Sequence, residues 1–300
     1  MHILLTGSTG FIGQTLRAAL TQAGHTVHGG VSPRQRPQGA PDPLAVPMDF
    51  ARDTTPEAWL PRLKGIHAVV NAVGVLRDSR ARPMDAVHTH TPCALFDACA
   101  EAGVRRVVQI SALGIEGSAT HYARSKRAAE QHLQDLMTDG QLDAAILRPS
   151  VVFGKGGDSS ALFMTLAKLP VALFPGPVLD ARVQPVSVHD LAAAVVALLG
   201  PALGTTGLIE CTGPQALTMG DFIASLRQQQ GQGRAMVLRM PDWLTQLSAR
   251  MGDALPASVP WCSDTLAMLG SDNVGNPAAF ERLLVRPGVA YDQLVATAWH

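Results

Sequence analysis

Tyr122 and Lys126 stand four positions apart in the stretch His121-Tyr122-Ala123-Arg124-Ser125-Lys126. On a helix this spacing sets a phenol and an ammonium on one face, with Cβ atoms about 5–6 Å apart. A free tyrosine, with a pKa near ~10, exchanges protons poorly at neutral pH. A fixed neighbouring cation favours the phenolate and makes the group a usable acid or base. Alone, the pair is equally what a surface helix carries, and a second motif gives it meaning. The apolar run Ile3-Leu4-Leu5 leads into Thr6-Gly7-Ser8-Thr9-Gly10-Phe11-Ile12-Gly13, and Ile12, Leu16, Ala19 and Leu20 then recur at helical spacing. This reads as a buried strand, a glycine turn and a helix. Glycines at such a turn admit backbone angles closed to other residues and let a pyrophosphate approach the main chain. The helix N-terminus adds free N–H groups and the positive end of its dipole. The spacing is Gly-x-x-Gly-x-x-Gly, looser than the usual Gly-x-Gly-x-x-Gly dinucleotide fingerprint. A turn needed only for packing is the bland alternative.

The elements that must position these groups alternate along the chain. Strands are predicted near 2–5, 26–31, 44–48, 67–71, 105–110 and 143–148, and helices near 10–22, 55–63, 84–102 and 121–138. That alternation is the pattern of a parallel sheet covered on both faces. Ser32 to Pro43 holds four prolines and no apolar periodicity, so it reads as a loop where a cofactor's adenosine would sit. Beyond residue 150 the alternation becomes irregular. The reading is therefore a dinucleotide-binding core over 1–155, then remaining core elements and a small C-terminal lobe over 156–300, with ligand held between lobes.

Together the two motifs resemble the short-chain dehydrogenase/reductase superfamily, in its extended or atypical epimerase/dehydratase-like branch. Asn71-Ala72-Val73-Gly74 is similar to the loop after the fourth strand of that fold. Val107 to Ser111 is similar to the fifth strand, ending in a hydroxyl, and Leu147-Arg148-Pro149 through Gly154 to the segment opening the substrate region. Leu269-Gly270-Ser271-Asp272-Asn273 resembles members related to the nucleotide-binding accessory subunit of respiratory complex I. The resemblance implies an α/β fold, a doubly wound parallel sheet (Rossmann fold) with a small C-terminal substrate lobe. It implies that a nicotinamide carries hydride, that Tyr122 exchanges the proton of a carbonyl/hydroxyl pair, that Lys126 lowers the Tyr122 pKa and holds the nicotinamide ribose, and that Ser111 binds the substrate oxygen, with Ser118 a fallback. The implied cofactor contacts are Gly7, Thr9, Gly10, Phe11, Ile12, Gly13, Ser32, Asp49, Phe50, Asn71, Ala72, Val73, Gly74, Lys126 and Pro149. Asp49 meets the adenine or caps the next helix; Asn71 orders the cofactor or forms a turn.

The second strand closes without a carboxylate to grip a ribose diol, which argues against strict NAD selection. Arg34 and Arg36 suit a 2′-phosphate, with Ser32 adding a hydroxyl, so NADP is preferred over NAD; two solvated loop arginines are the alternative. Twenty-four basic and twenty-four acidic residues cancel, which gives no basic field for nucleic acid. Cys93, Cys99, Cys211 and Cys262 form no Cys-x-x-Cys pair and read as thiols of a reducing compartment. His88 and His90 do not share a helix face and complete no zinc site, so no metal is expected. His189-Asp190 reads as the cap of a helix over 191–199. A cytoplasmic protein is expected, since no room is seen for a signal peptide and no apolar run spans a bilayer. Peripheral membrane or complex association and a homodimer stay open. The expected activity is that of an NAD(P)-dependent oxidoreductase or epimerase-like enzyme on a small molecule other than a sugar nucleotide. The alternative is a catalytically weak, cofactor-binding assembly protein, motivated by the Asp272-Asn273 tail and the apolar, proline-rich 161–178 segment.

Overall fold

A computed structural model describes residues 1–33, 42–200, 206–233, 236–253 and 263–299. The chain divides into two compact units. One comprises Met1–Ile115, His121–Arg148 and Ala192–Ile209; the other comprises Glu116–Thr120, Pro149–Leu191 and Glu210–His300.

The first unit is built on strands β1 (His2–Thr6), β2 (Thr26–Val31), β3 (Ala45–Pro47), β4 (Ala68–Asn71), β5 (Arg106–Ile110) and β6 (Asp143–Pro149). A seventh strand, Gly207–Cys211, lies beside β6, and the order continues β5, β4, β1, β2, β3. The pairings of β1 with β2 and β4, of β2 with β3, of β4 with β5 and of β5 with β6 are parallel. This is a doubly wound α/β sheet, as expected. Its interior is mainly apolar, since both faces are covered: Ile3, Leu4, Leu5, Val69, Val70, Val107, Val108 and Ala144 to Leu147 are fully buried. Chain order reverses at the junction of β1 and β4, and ligands of such sheets bind beyond the strand C-termini at that switch point. Gly7, Asn71 and Ser111 all lie at those ends.

Helices α1 (Phe11–Gln22) and α4 (His121–Thr138) follow the expected ranges closely, whereas α2 (Pro56–Trp59) and α3 (Thr91–Ala102) are shorter than expected. Two differences have a proline cause. The helix expected over 55–63 tightens into a 3-10 turn at Leu60–Leu63, which contains Pro61. The helix expected over 84–102 opens with a wide π-helical turn at Ala86–His90. Pro92 has no N–H, and its ring crowds the carbonyl four residues back, that of His88. The widened turn relieves the crowding, and such turns recur at functional sites.

The second unit has its own apolar core, in which Phe153 meets Phe222 edge-on at 6.1 Å between ring centroids. Phe163, Met164, Phe174, Val178 and Leu179 belong to that core, so much of the apolar 161–178 segment is interior packing. Leu162, Leu169 and Val171 remain exposed. Asp190 is not a cap but lies inside the helix Val188–Leu198, where its carboxylate accepts from Arg286 Nη2 (2.5 Å) and the Val289 N–H (2.7 Å). In the tail, Asp272 accepts from the Arg182 N–H at 2.8 Å and the Asn273 N–H donates to the Arg182 carbonyl at 2.7 Å. No helix among the described residues is long and apolar enough to cross a membrane.

Candidate active site

The glycine turn is a cradle shaped by missing side chains. Gly7 has φ +70°, a left-handed conformation that favours glycine. A Cβ there would also come within 2.9 Å of the Ala72 carbonyl oxygen, in the loop after β4. A Cβ at Gly13 would run into the carbonyl of Gly7. With hydrogen there instead, α1 seats directly on the turn, and the Gly10 N–H donates to the Gly7 carbonyl at 2.9 Å. Ser8 is buried, and its hydroxyl donates to the Gly30 carbonyl at 2.9 Å, which ties the turn to β2. The first N–H groups of a helix have no acceptor within it; here they belong to Phe11, Ile12 and Gly13. A cavity of about 700 Å³ adjoins the turn, lined by Ser8, Thr9, Gln14, Arg17, Ala18, Thr21 and Gln22. Arg17 pairs there with Asp42.

The phenol and ammonium lie on the buried face of α4, which also carries Ser125, Ala129, Glu130 and Leu133. Lys126 is 6% exposed, and its Nζ donates to the Ile110 carbonyl at 3.3 Å, one residue before Ser111. It stands 6.0 Å from the centre of the Tyr122 ring. A Cβ on Gly74 would lie 3.4 Å from that ammonium, so the β4 loop and α4 meet here. Burial pulls the Lys126 pKa down to about 8, against a raising influence from Glu130. Burial likewise pushes the Tyr122 phenol up to about 12. The expectation that Lys126 lowers the tyrosine pKa is therefore corrected: desolvation of the phenol outweighs a cation that is itself buried and spent on a carbonyl. Ser111 is buried, its N–H donates to the Leu147 carbonyl at 2.7 Å, and its hydroxyl has no hydrogen-bond partner among the described residues. Buried hydroxyls without partners are uncommon and call for an explanation such as a ligand.

His88, read from sequence only as a poor metal ligand, is part of this cluster. The π-helical turn carries it inward, to 2% exposure. Its Nε2 accepts from the Val75 N–H at 3.0 Å, which leaves Nδ1 protonated and donating to the Ser125 hydroxyl, also at 3.0 Å. Ser125 in turn donates to the Tyr122 carbonyl at 3.0 Å. The His88 ring meets the Tyr122 ring edge-on at 5.2 Å. Burial first, then the charge of Lys126, depresses the His88 pKa to about 2, so the imidazole is neutral. The chain of bonds couples the loop after β4 to the helix of the phenol. The sequence signal was Pro92, whose widened turn re-aims the histidine four residues earlier.

Other expected contacts divide. Asn71 is wholly buried; its amide oxygen accepts from Thr6 Oγ1 at 2.5 Å and its nitrogen donates to Gln109 at 2.8 Å. Its side chain thus braces β1, β4 and β5 below the crevice. Asp49 closes a local turn, accepting from the Ala51 N–H at 3.0 Å. Phe50 is buried edge-on against Trp59, 5.6 Å between ring centroids. Ser32 follows β2 directly in the described part of the loop, and Pro149 closes β6. Arg34 and Arg36 lie outside the described residues.

The model of the NAD-dependent epimerase/dehydratase family matches residues 3–204. The chain belongs to this family. It is 30% identical over 220 residues to the ceramide reductase of Caulobacter vibrioides, an alignment covering 69% of this chain and 63% of that protein. It is 24% identical over 229 residues to mitochondrial NADH dehydrogenase (ubiquinone) 1 alpha subcomplex subunit 9 of Dictyostelium discoideum, covering 72% and 60% respectively. The chain thus spans less than two thirds of the length of these curated relatives. Among solved structures, UDP-glucose 4-epimerase of Thermus thermophilus in complex with NAD superposes with a TM-score of 0.71 at 19% identity, over 99% of this chain and 97% of that one, which shows the shared fold.

The residues present fit a dinucleotide. A Cβ at Gly7 or Gly13 would meet backbone atoms, the first N–H groups of α1 lie at the turn, and the Ser111 hydroxyl, without a partner among the described residues, lies one residue beyond the carbonyl that holds Lys126.

Proposed function

We propose that this member of the family is an NAD(P)-dependent oxidoreductase or epimerase-like enzyme that interconverts a carbonyl and a hydroxyl. A bound nicotinamide supplies a hydride donor or acceptor. The protein's part is to bind, orient and move one proton. Ser111 donates its hydroxyl to the substrate oxygen, Tyr122 gives or takes the proton on that oxygen, and Lys126 holds the ribose hydroxyls and presents positive charge to the phenol as it ionises. A phenol held near 12 is a reluctant base on its own, so charge brought in with the oxidised cofactor belongs to the mechanism. The observation that carries the reading is the buried, unpartnered Ser111 hydroxyl at the strand end that also anchors Lys126.

NADP is the preferred form, since no carboxylate ends β2 and Arg34 and Arg36 follow it in sequence. The substrate is a small or lipophilic molecule rather than a sugar nucleotide; the region after residue 150 is apolar and poor in arginine, and similarity to a ceramide reductase agrees with that. Calorimetric titration with NAD, NADP and their reduced forms tests the reading. Micromolar binding, tighter for NADP(H), is expected, and no heat from either nucleotide overturns it.

A second reading, a cofactor-binding assembly protein, is favoured by one surface. The helix Asp242–Asp253 exposes Trp243 (68%), Leu247 (48%) and Met251 (64%) at i, i+4 and i+8. Similarity to the complex I subunit is in keeping with it. Nucleotide binding without turnover, together with co-purification in a membrane-associated complex, would favour this reading.

A further inference from the structure

We infer that Glu130, clamped by Arg148, is the counter-charge that keeps Lys126 an ammonium inside the protein, a tuning role that rests on the reading of Tyr122 and Lys126 as the working pair. Tyr122, Lys126 and Glu130 occupy successive turns of the buried face of α4, so Glu130 begins about 6 Å along the axis from Lys126. Glu130 is 3% exposed and Arg148, arriving on β6, is 6% exposed. Arg148 Nε donates to both carboxylate oxygens, at 3.0 and 3.2 Å, and Nη2 donates to Oε2 at 2.6 Å. This fork is the geometry in which a guanidinium fixes a carboxylate in orientation.

Lys126 needs such a neighbour. It is buried, and burial favours the neutral amine. The groups that bear on it among the described residues are the neutral His88 ring, the neutral Tyr122 phenol, the Ile110 carbonyl, Glu130 and, beyond Glu130, the Arg148 guanidinium. Of these, Glu130 carries negative charge, and it works against desolvation so that Lys126 titrates near 8 rather than lower. A neutral amine at this position would lose one donor toward ribose hydroxyls and the positive field at the phenol. Arg148 therefore acts at two removes. It lies outside the cofactor cradle, yet it holds the carboxylate that holds the charge.

The experiment reads Lys126 directly. The chain has four lysines, Lys64, Lys126, Lys155 and Lys168, so lysine labelled with ¹³C at Cε gives a simple NMR titration, with the Lys126 signal assigned by its loss in Lys126→Met. With the axial spacing of about 6 Å as the charge separation and an effective dielectric of ~20, a bare carboxylate is worth about two pH units, and the opposing Arg148 charge reduces the net contribution of the pair to about one. Glu130→Gln, which leaves the Arg148 charge in place, should lower the Lys126 midpoint by about two units, and Glu130→Asp should restore most of it. Glu130→Gln strands a buried guanidinium and risks unfolding, so Glu130→Gln/Arg148→Met, which removes both charges, is the second variant. It too should titrate below wild type. A midpoint unchanged in the folded double variant overturns the inference. The titration needs no nucleotide: absent nucleotide binding by wild type defeats the proposed function, whereas an unmoved midpoint in a protein that binds nucleotide defeats this inference alone.

Discussion

Replacing His88 by asparagine removes a group that the folded protein refuses to protonate. The imidazole is 2% exposed, its Nε2 is occupied by the Val75 N–H, and Lys126 opposes any added charge, so the folded pKa falls to about 2. In the unfolded chain the same ring titrates near ~6.5. Between these values the unfolded state binds the extra proton. Stability therefore rises with pH through this window: the contribution of His88 is fully present above about 6.5 and is lost as pH falls toward 2. At about 1.36 kcal/mol per pH unit, the loss between pH 7 and pH 4 is about 3 kcal/mol. Urea unfolding at intervals between pH 7 and pH 4 measures it as the difference between wild type and His88→Asn. Carboxylates such as Asp42, whose pKa is lowered by the Leu44 N–H and by Arg17, add an acid slope common to both proteins. The wild-type curve should fall by about 3 kcal/mol more than that of the variant. The variant should also be weaker at pH 7, by about 1–3 kcal/mol, unless asparagine satisfies the Val75 N–H. Parallel curves would refute the argument, because they would mean that the ring takes up its proton without unfolding.

Three further outcomes follow from the site. Gly13→Ala should abolish measurable nucleotide binding in calorimetry, because its Cβ meets the backbone of Gly7 and Ser8, which cannot yield as a side chain would; unaltered affinity would remove the cradle from the reading. Tyr122→Phe should cut turnover by about 10²–10⁴-fold while nucleotide affinity stays within a few-fold, as a lost proton-transfer group does, and full activity in a steady-state assay would exclude Tyr122 as the acid/base. Arg34→Ala/Arg36→Ala should weaken NADP by about tenfold or more and leave NAD nearly unchanged; an equal effect on both nucleotides, measured by calorimetry, would make these arginines bystanders.

The parts of the protein that local chemistry governs were legible in the sequence. The centres of β1, β4, β5 and β6 are short apolar runs, Ile3 to Leu5, Ala68 to Val70, Val107-Val108 and Ala144 to Leu147, and a two-sided parallel sheet buries such runs on both faces. Gly7, Gly10 and Gly13 announce a turn where Cβ atoms at Gly7 and Gly13 cannot fit, and Tyr122 with Lys126 follows from helical period alone. Other features depended on partners distant in the chain. The seventh strand, Gly207–Cys211, reads as ordinary connecting sequence until β6 offers it an edge. Asn71 could have faced a cofactor, but Thr6 and Gln109, brought alongside by the strand register, claim its amide.

Residue types and periods thus determined the sheet, the glycine cradle and the family to which the chain belongs, because each is enforced within a few consecutive residues. The tertiary structure alone decided the electrostatics. Burial raised the Tyr122 phenol that its neighbouring lysine was expected to lower, and it silenced His88. It also joined Glu130 to Arg148 across 18 positions. A pKa is set by how much water a group loses and which charges then surround it, and neither quantity exists until the chain has folded.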